Sequence, residues 1–179
     1  MNTIKEILDS RRSIRSYDAA KKVTKEQVEE LIEAALQAPS WKNSETARYH
    51  CVLNEDVIAK IREEALPAFN QKSSAGAALI VATFVKDVSG YTKGEPDNEL
   101  GNGWGCYDLG FSNANFIMKA RELGLGTLIM GIRDEAKIRE ILSIPEEECI
   151  VAVIALGYPT AAEVVKRPRK EIGEISRFY

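Results

Sequence analysis

Two short, nearly unbroken apolar runs constrain this chain more than any other feature. AALIVATFV (77–85) and ECIVAVIALGYP (148–159) are rich in β-branched residues. Each reads as a strand of a central sheet buried on both faces, and such a sheet needs helices on both sides. The pattern supplies them. TIKEILDS (3–10) sets Thr3 three residues ahead of Glu6, a capping-box spacing, with Ile4, Ile7 and Leu8 on one face. TKEQVEELIEAALQAP (24–39) repeats the device with Thr24 and Gln27, places Val28, Leu31, Ile32 and Ala35 at helical spacing, and stops before Pro39. DVIAKIREEAL (56–66), CYDLGFSNANFIMKAREL (106–123, ended by Gly124) and DEAKIREILSI (134–144, capped by Asp134) predict three more helices. RYHCVLN (48–54) and LGTLIMG (125–131) predict two more strands. Residues 86–105 carry five glycines and a proline without any period, and so predict a long loop of the kind that is usually functional or mobile. The tail, 160–179, is charged and coreless; it must fray or lie on something else.

The expected class is therefore α/β or α+β, one sheet covered by helices. At 179 residues and 45% hydrophobic, the chain is long enough for one cored domain and short for two, so residues 1–179 read as a single domain. A net charge of −3 argues against a nucleic-acid surface. Cys51, Cys106 and Cys149 are odd in number and widely spaced, and read as small buried hydrophobes in a reducing compartment rather than disulfides or zinc ligands. With no apolar signal core and no run of membrane-spanning length, a cytoplasmic location without a membrane partner is expected.

Against that acidic background the arginines stand out. SRRSIRSY (10–17) follows the first helix; if it is extended, Arg11, Ser13 and Arg15 share a face, and two guanidiniums flanking a hydroxyl suit a phosphate. The same residues also suit a solvated basic linker. KRPRK (166–170) sets Arg167 and Arg169 either side of Pro168, again aiming two arginines one way. Both pairs can converge on one anion. APSWKNSE (38–45) makes a turn that can expose backbone amides and place Trp41 and Asn43 beside a flat ligand, or simply end a helix. In ELGLGTLIMGI (122–132) glycines either permit close backbone approach near Gly131 or merely punctuate. There is no GxGxxG opening a βαβ unit, no GxxxxGK[ST] and no GxSxG, and the sole histidine, His50, sits in a predicted strand as a packed or edge residue. Any catalysis would therefore rest on a bound cofactor.

Taken in order, RRSIRSYD, AALQAPSWKNSE, FNQK (69–72), LGLGTLIMGI, ALGYP and KRPRK resemble the nitroreductase family of FMN-dependent oxidoreductases over nearly the whole chain. The resemblance implies an α+β sandwich with a central mixed, mainly antiparallel sheet flanked by helices. It also implies a homodimer whose C-terminal segments are exchanged and whose interface holds two FMN molecules. Arg11, Ser13, Arg167 and Arg169 would hold the FMN phosphate, and Arg12 and Arg15 the isoalloxazine and ribityl groups. Pro39, Ser40, Trp41 and Asn43 would come from the partner subunit. Asn70 would meet the pyrimidine edge, and the Met130–Gly131 backbone would lie beside the flavin. No protein residue is implied to bond to substrate: hydride would pass from NADH or NADPH through flavin N5 to a nitroaromatic, quinone or similar small acceptor in a ping-pong cycle. Trp104 and Tyr107, near the 86–105 loop, are the candidate substrate residues. Dehalogenation, flavin fragmentation, ene reduction and non-catalytic flavin binding use the same scaffold and stay open at this point. This chain departs from many members in carrying SETARYH (44–50) where a Gln-Pro-Trp-like stretch is common, and Met130 where some carry an acid.

Overall fold

A computed structural model describes residues 3–160 and 165–179. Helix α1 (Ile4–Ser10) and helix α2 (Lys25–Leu36) both open on the expected capping boxes, Thr3 with Glu6 and Thr24 with Gln27. A single 3-10 turn, Trp41–Asn43, leads into strand β1 (Ala47–Val52). Helices α3 (Glu55–Ala65, capped by Asn54) and α4 (Ala68–Ser73) follow, then strand β2 (Ala78–Val85). A hairpin of two-residue strands, β3 (Tyr91–Thr92) and β4 (Glu95–Pro96), precedes the long helix α5 (Gly103–Glu122). Strand β5 (Gly126–Met130), helix α6 (Glu135–Leu142, capped by Asp134) and strand β6 (Glu148–Gly157) complete the core, and one turn of helix, α7 (Ile172–Ile175), lies in the tail.

The main sheet has the order β1-β2-β6-β5 with every neighbour antiparallel. Ser13 adds one isolated parallel bridge to Thr127 of β5, beside a sheet whose paired strands are all antiparallel rather than mixed. Alternation along β2 builds two cores. Leu79 and Val81 meet Ile61, Ala65 and Ile138 of α3 and α6, whereas Ile80, Ala82 and Phe84 meet Leu31, Leu109 and Phe116 of α2 and α5. Each fully buried Leu, Ile, Val or Phe among them contributes about 1.5–3 kcal/mol. A register shift after Ala82 lets Ile150 and Val153, three residues apart on β6, face the same core, as a β-bulge must.

Four expectations change. Helix α5 starts at Gly103, three residues before the predicted Cys106, because Gly105 lies against the Phe84 ring where a Cβ would clash. The 86–105 stretch is not plain loop: β3 and β4 form a hairpin across Lys93 and Gly94, both at positive φ as a tight two-residue turn requires. Helix α4 is new; six residues are too few to show a period. The cysteines are free but not buried, Cys51 and Cys106 being exposed and Cys149 half-buried, since β1 is an edge strand and Cys106 lies in the first turns of α5 on its outer side. Among the described residues no helix is long and apolar enough to cross a membrane.

Candidate functional site

The arginine-rich segment is extended and strapped to the sheet edge. The Ile14 N–H donates to the Thr127 carbonyl (2.9 Å), and Tyr17, buried, donates its hydroxyl to the Ile14 carbonyl (2.9 Å) while bridging Pro159. Burial raises the Tyr17 phenol above its ordinary value, with Arg15 opposing, so the hydroxyl stays a donor. Ile14 and Tyr17 face inward, which leaves Arg11, Arg12 and Arg15 to point elsewhere.

Arg11 and Arg12 line a cavity of about 720 Å³ together with Arg121 from the last turn of α5, Lys166 from the tail, and Asp9. Among the described residues four cations thus meet one carboxylate, and Asp9 is already held by Lys5 (3.0 Å) and Lys166 (3.2 Å). Arg169 comes close enough that its charge acts on Arg11. Burial first, then Arg169 and Arg12, lower the Arg11 guanidinium below its ordinary value. Arg11 makes no side-chain hydrogen bond or ion pair among the described residues, and the Arg12 Nε is buried without a partner. This is a site that wants an anion.

The terminal nitrogens of Arg12 have other work. They donate to the Arg11 carbonyl (2.7 Å) and the Asp9 carbonyl (2.8 Å), tying off the C-terminal end of α1. Arg15 is exposed and donates to the Ser13 carbonyl (3.2 Å). Neither Ser13 nor Arg15 lines the cavity, and Arg167 is exposed on the tail.

A second cluster gathers the Trp41 turn and the hairpin. The Trp41 ring lies 4.6 Å from that of Trp104, Trp104 meets Tyr107 edge-on at 5.6 Å, and Tyr107 meets Phe111 at 4.7 Å. Asp108, buried on α5, accepts from the Trp41 N–H (2.9 Å) and the Ser89 hydroxyl (2.5 Å), so one carboxylate pins both loops. Lys42 adds contacts to Thr92 (2.9 Å) and Asp97 (3.3 Å). Lys42, Asn43 and Glu45 all have positive φ, so the SETARYH departure begins inside a tightly turned loop that the Ser40 hydroxyl closes by accepting from the Glu45 N–H (3.0 Å). Pro39, Ser40, Trp41 and Asn43 do not line the arginine cavity of their own chain.

A third group lies at the end of β5. Asn70, buried on α4, donates its side-chain amide to the Ile132 carbonyl (3.0 Å), leaving its oxygen as an acceptor. Met130 is buried, while Gly131 is exposed with open space where a side chain would be. His50 sits apart, on edge strand β1. It bonds to Glu148 (2.8 Å), which also accepts from Thr83, and so belongs to the sheet rather than to any cavity. Sequence reasoning missed Arg121, Asp108 and Lys166; only the fold brings Arg121 beside Ser10 or Asp108 beside Trp41.

The chain is similar to several known proteins. The NADPH-flavin oxidoreductase of Vibrio harveyi is 31% identical over 172 residues, covering 92% of this chain and 69% of that protein. An Archaeoglobus fulgidus protein provisionally named NADH dehydrogenase/NAD(P)H nitroreductase is 30% identical over 158 residues, covering 86% of this chain and 84% of that one. The fold matches a protein of Exiguobacterium sibiricum solved in complex with FMN, at 21% identity, with a TM-score of 0.86, covering 100% of this chain and 98% of that one. The family description "Nitroreductase family" matches residues 8–158, a span that begins two residues before SRRSIRSY and ends inside ALGYP. With the strapped arginine segment, the Trp41 turn and the glycine-ended β5 all inside that span, the chain belongs to the nitroreductase family.

Proposed function

We propose that residues 1–179 form one FMN-binding domain of an NAD(P)H-dependent oxidoreductase that reduces a nitroaromatic, a quinone or a similar small acceptor as a homodimer. The observation that carries this reading is the arginine cavity: among the described residues, Arg11, Arg12, Arg121 and Lys166 stand against a single, already paired carboxylate. A phosphate dianion supplies the charge that this site lacks. The names of the Vibrio harveyi and Archaeoglobus fulgidus relatives, and the FMN in the Exiguobacterium sibiricum protein, agree with that choice.

When bound, FMN supplies the redox chemistry, accepting hydride and passing it on at N5. The chain binds and orients. Arg11, from the cavity lining, is assigned to the phosphate with Arg169; the family pattern adds Ser13 and Arg167, which lie outside that lining, and Arg15, whose remaining donors are unengaged among the described residues, is assigned to the ring. Arg12 holds the end of α1 and adds its positive field rather than its terminal donors. The free oxygen of Asn70 suits the N–H of a pyrimidine edge, and the open side of Gly131 lets a flat ring approach the backbone. Arg15 would place positive charge beside the ring. A second subunit completes the site with Pro39, Ser40, Trp41 and Asn43, and takes up the tail. Ile172, Ile175 and Phe178 are 71%, 71% and 88% exposed, a large apolar area for a lone chain to leave in water. Trp104 and Tyr107 would lie along the approach of nicotinamide and acceptor.

The test is a visible spectrum of the purified protein, loaded with FMN, before and after NADH or NADPH is added without oxygen. Bleaching, followed by return of colour on adding a quinone, is expected. A bound flavin that neither nucleotide reduces would leave a binding protein, and failure to bind FMN would refute the cofactor assignment.

A further inference from the structure

We propose that Arg121 is a phosphate-recognition residue of the flavin site, aimed by Ser10, and that it helps this chain choose FMN over unphosphorylated flavin. The inference rests on the FMN reading above and adds a residue from outside the two arginine motifs. Arg121 lies in the last turn of α5, at the far end of the helix from the Trp41 cluster, and lines the same cavity as Arg11 and Lys166. Its Nε donates to the Ser10 hydroxyl (3.0 Å), which itself leans toward the Ile7 carbonyl. A guanidinium held by Nε presents its two terminal nitrogens as a fork. That fork makes no hydrogen bond or ion pair among the described residues.

An arginine at a helix C-terminus can turn its terminal nitrogens onto the last carbonyls, as Arg12 does at the end of α1. Arg121 instead leaves them beside a cavity whose only carboxylate among the described residues, Asp9, is engaged by two lysines. Two cations with unengaged terminal nitrogens, Arg11 and Arg121, therefore border one volume from two different elements, with Arg169 near enough to perturb Arg11. Such a fork fits two oxygens of one phosphate bidentately, which an ammonium cannot do. Riboflavin carries a hydroxyl in place of the phosphate and offers that fork no charge.

The experiment is equilibrium titration of flavin-free protein with FMN and, separately, riboflavin, read by quenching of flavin fluorescence, for the wild type, Arg121→Gln, Arg121→Lys and Ser10→Ala. Urea midpoints establish that each variant is folded. Removing a charge-assisted hydrogen-bonding group from the phosphate should weaken FMN binding roughly ten- to hundredfold. Riboflavin binding should stay unchanged. Arg121→Lys keeps the charge without the fork and should fall between, and Ser10→Ala should weaken FMN binding less than Arg121→Gln does. Equal weakening of both flavins by Arg121→Gln would make Arg121 structural and overturn the proposal, as would no change in either. If the wild type binds neither flavin, the cofactor reading fails and this inference with it; if it binds both equally, the phosphate role alone is refuted.

Discussion

Replacing Gly126 with alanine tests whether the sheet edge positions the arginines. Gly126 opens β5 one residue before Thr127, the anchor of the arginine segment. A Cβ there would lie 2.6 Å from Ile14 Cγ1, 3.0 Å from Ile14 Cβ and 3.0 Å from Pro159 Cγ. Carbon atoms prefer about 3.5–4.0 Å, so the new methyl is roughly 0.9 Å too close to one atom and about 0.5 Å too close to two more. Ile14 is 9% exposed and β-branched, which leaves it little freedom to turn away. Overpacking of this kind costs about 1–3 kcal/mol. The gain from stiffening the unfolded chain is about 0.4–1 kcal/mol, so strain wins. The easiest relief is to lift residues 13–15 off β5 and lengthen the bond from the Ile14 N–H to Thr127, carrying Arg11 and Ser13 with them. The expected result is a net loss of about 1–2 kcal/mol in urea unfolding. FMN affinity should fall by about tenfold or more, because misplacing charge-assisted contacts forfeits most of their strength. An unchanged midpoint with unchanged FMN affinity would show that Ile14 repacks in place and that register at Thr127 does not set the arginines.

Gly105→Ala should destabilise by about 1–3 kcal/mol, since its methyl runs into the buried Phe84 ring. Phe84→Leu in the same chain should recover part of that loss in a double-mutant cycle, and strict additivity would refute the contact. Asp108→Ala strands the Trp41 N–H and the Ser89 hydroxyl and should cost about 1–3 kcal/mol. The Trp41–Trp104 pair should loosen as well, shifting tryptophan emission; an unaltered spectrum and midpoint would mean that the loops hold without the pin. Glu148 gives a pH dependence. Burial acts to raise its carboxyl, but hydrogen bonds from Thr83 and His50, helped by Arg48, bring it below the ordinary 4.5. Its stabilisation is therefore complete above that value and is lost as pH falls through the lower folded value. Glu148→Gln should flatten the acid limb of the urea midpoint between about pH 6 and pH 3, and parallel curves for the two proteins would contradict it.

The parts of the fold legible in the sequence are those whose signal is local. Thr3 with Glu6 and Thr24 with Gln27 mark helix starts because a cap is satisfied within four residues, and β2 and β6 show themselves because a doubly covered strand has no polar face to interrupt it. The start of α5 was hidden for the opposite reason. Gly103 and Gly105 read as loop by propensity, yet the second is helical because only a glycine lets the helix approach Phe84. The hairpin β3–β4 escaped because its strands are two residues long, too short to alternate. Cys51 was misplaced by composition, which cannot tell the covered face of an edge strand from the open one.

For the site, sequence reveals the charges and the fold decides which of them are already engaged. Arg11, Arg12, Arg167 and Arg169 stand out in an acidic chain, and counting alone treats them as equals. Hydrogen bonding separates them: Arg12 closes the end of α1, Lys166 joins Lys5 on Asp9, and Arg11 is left without a partner among the described residues. Arg121, which no motif distinguishes from the other basic residues of α5, reaches the same cavity because Ser10 lies 111 residues away in sequence and 3.0 Å away in space. A ligand site of this kind is a difference between charges assembled and charges answered. The second quantity exists only once α1, α5 and the tail are placed side by side.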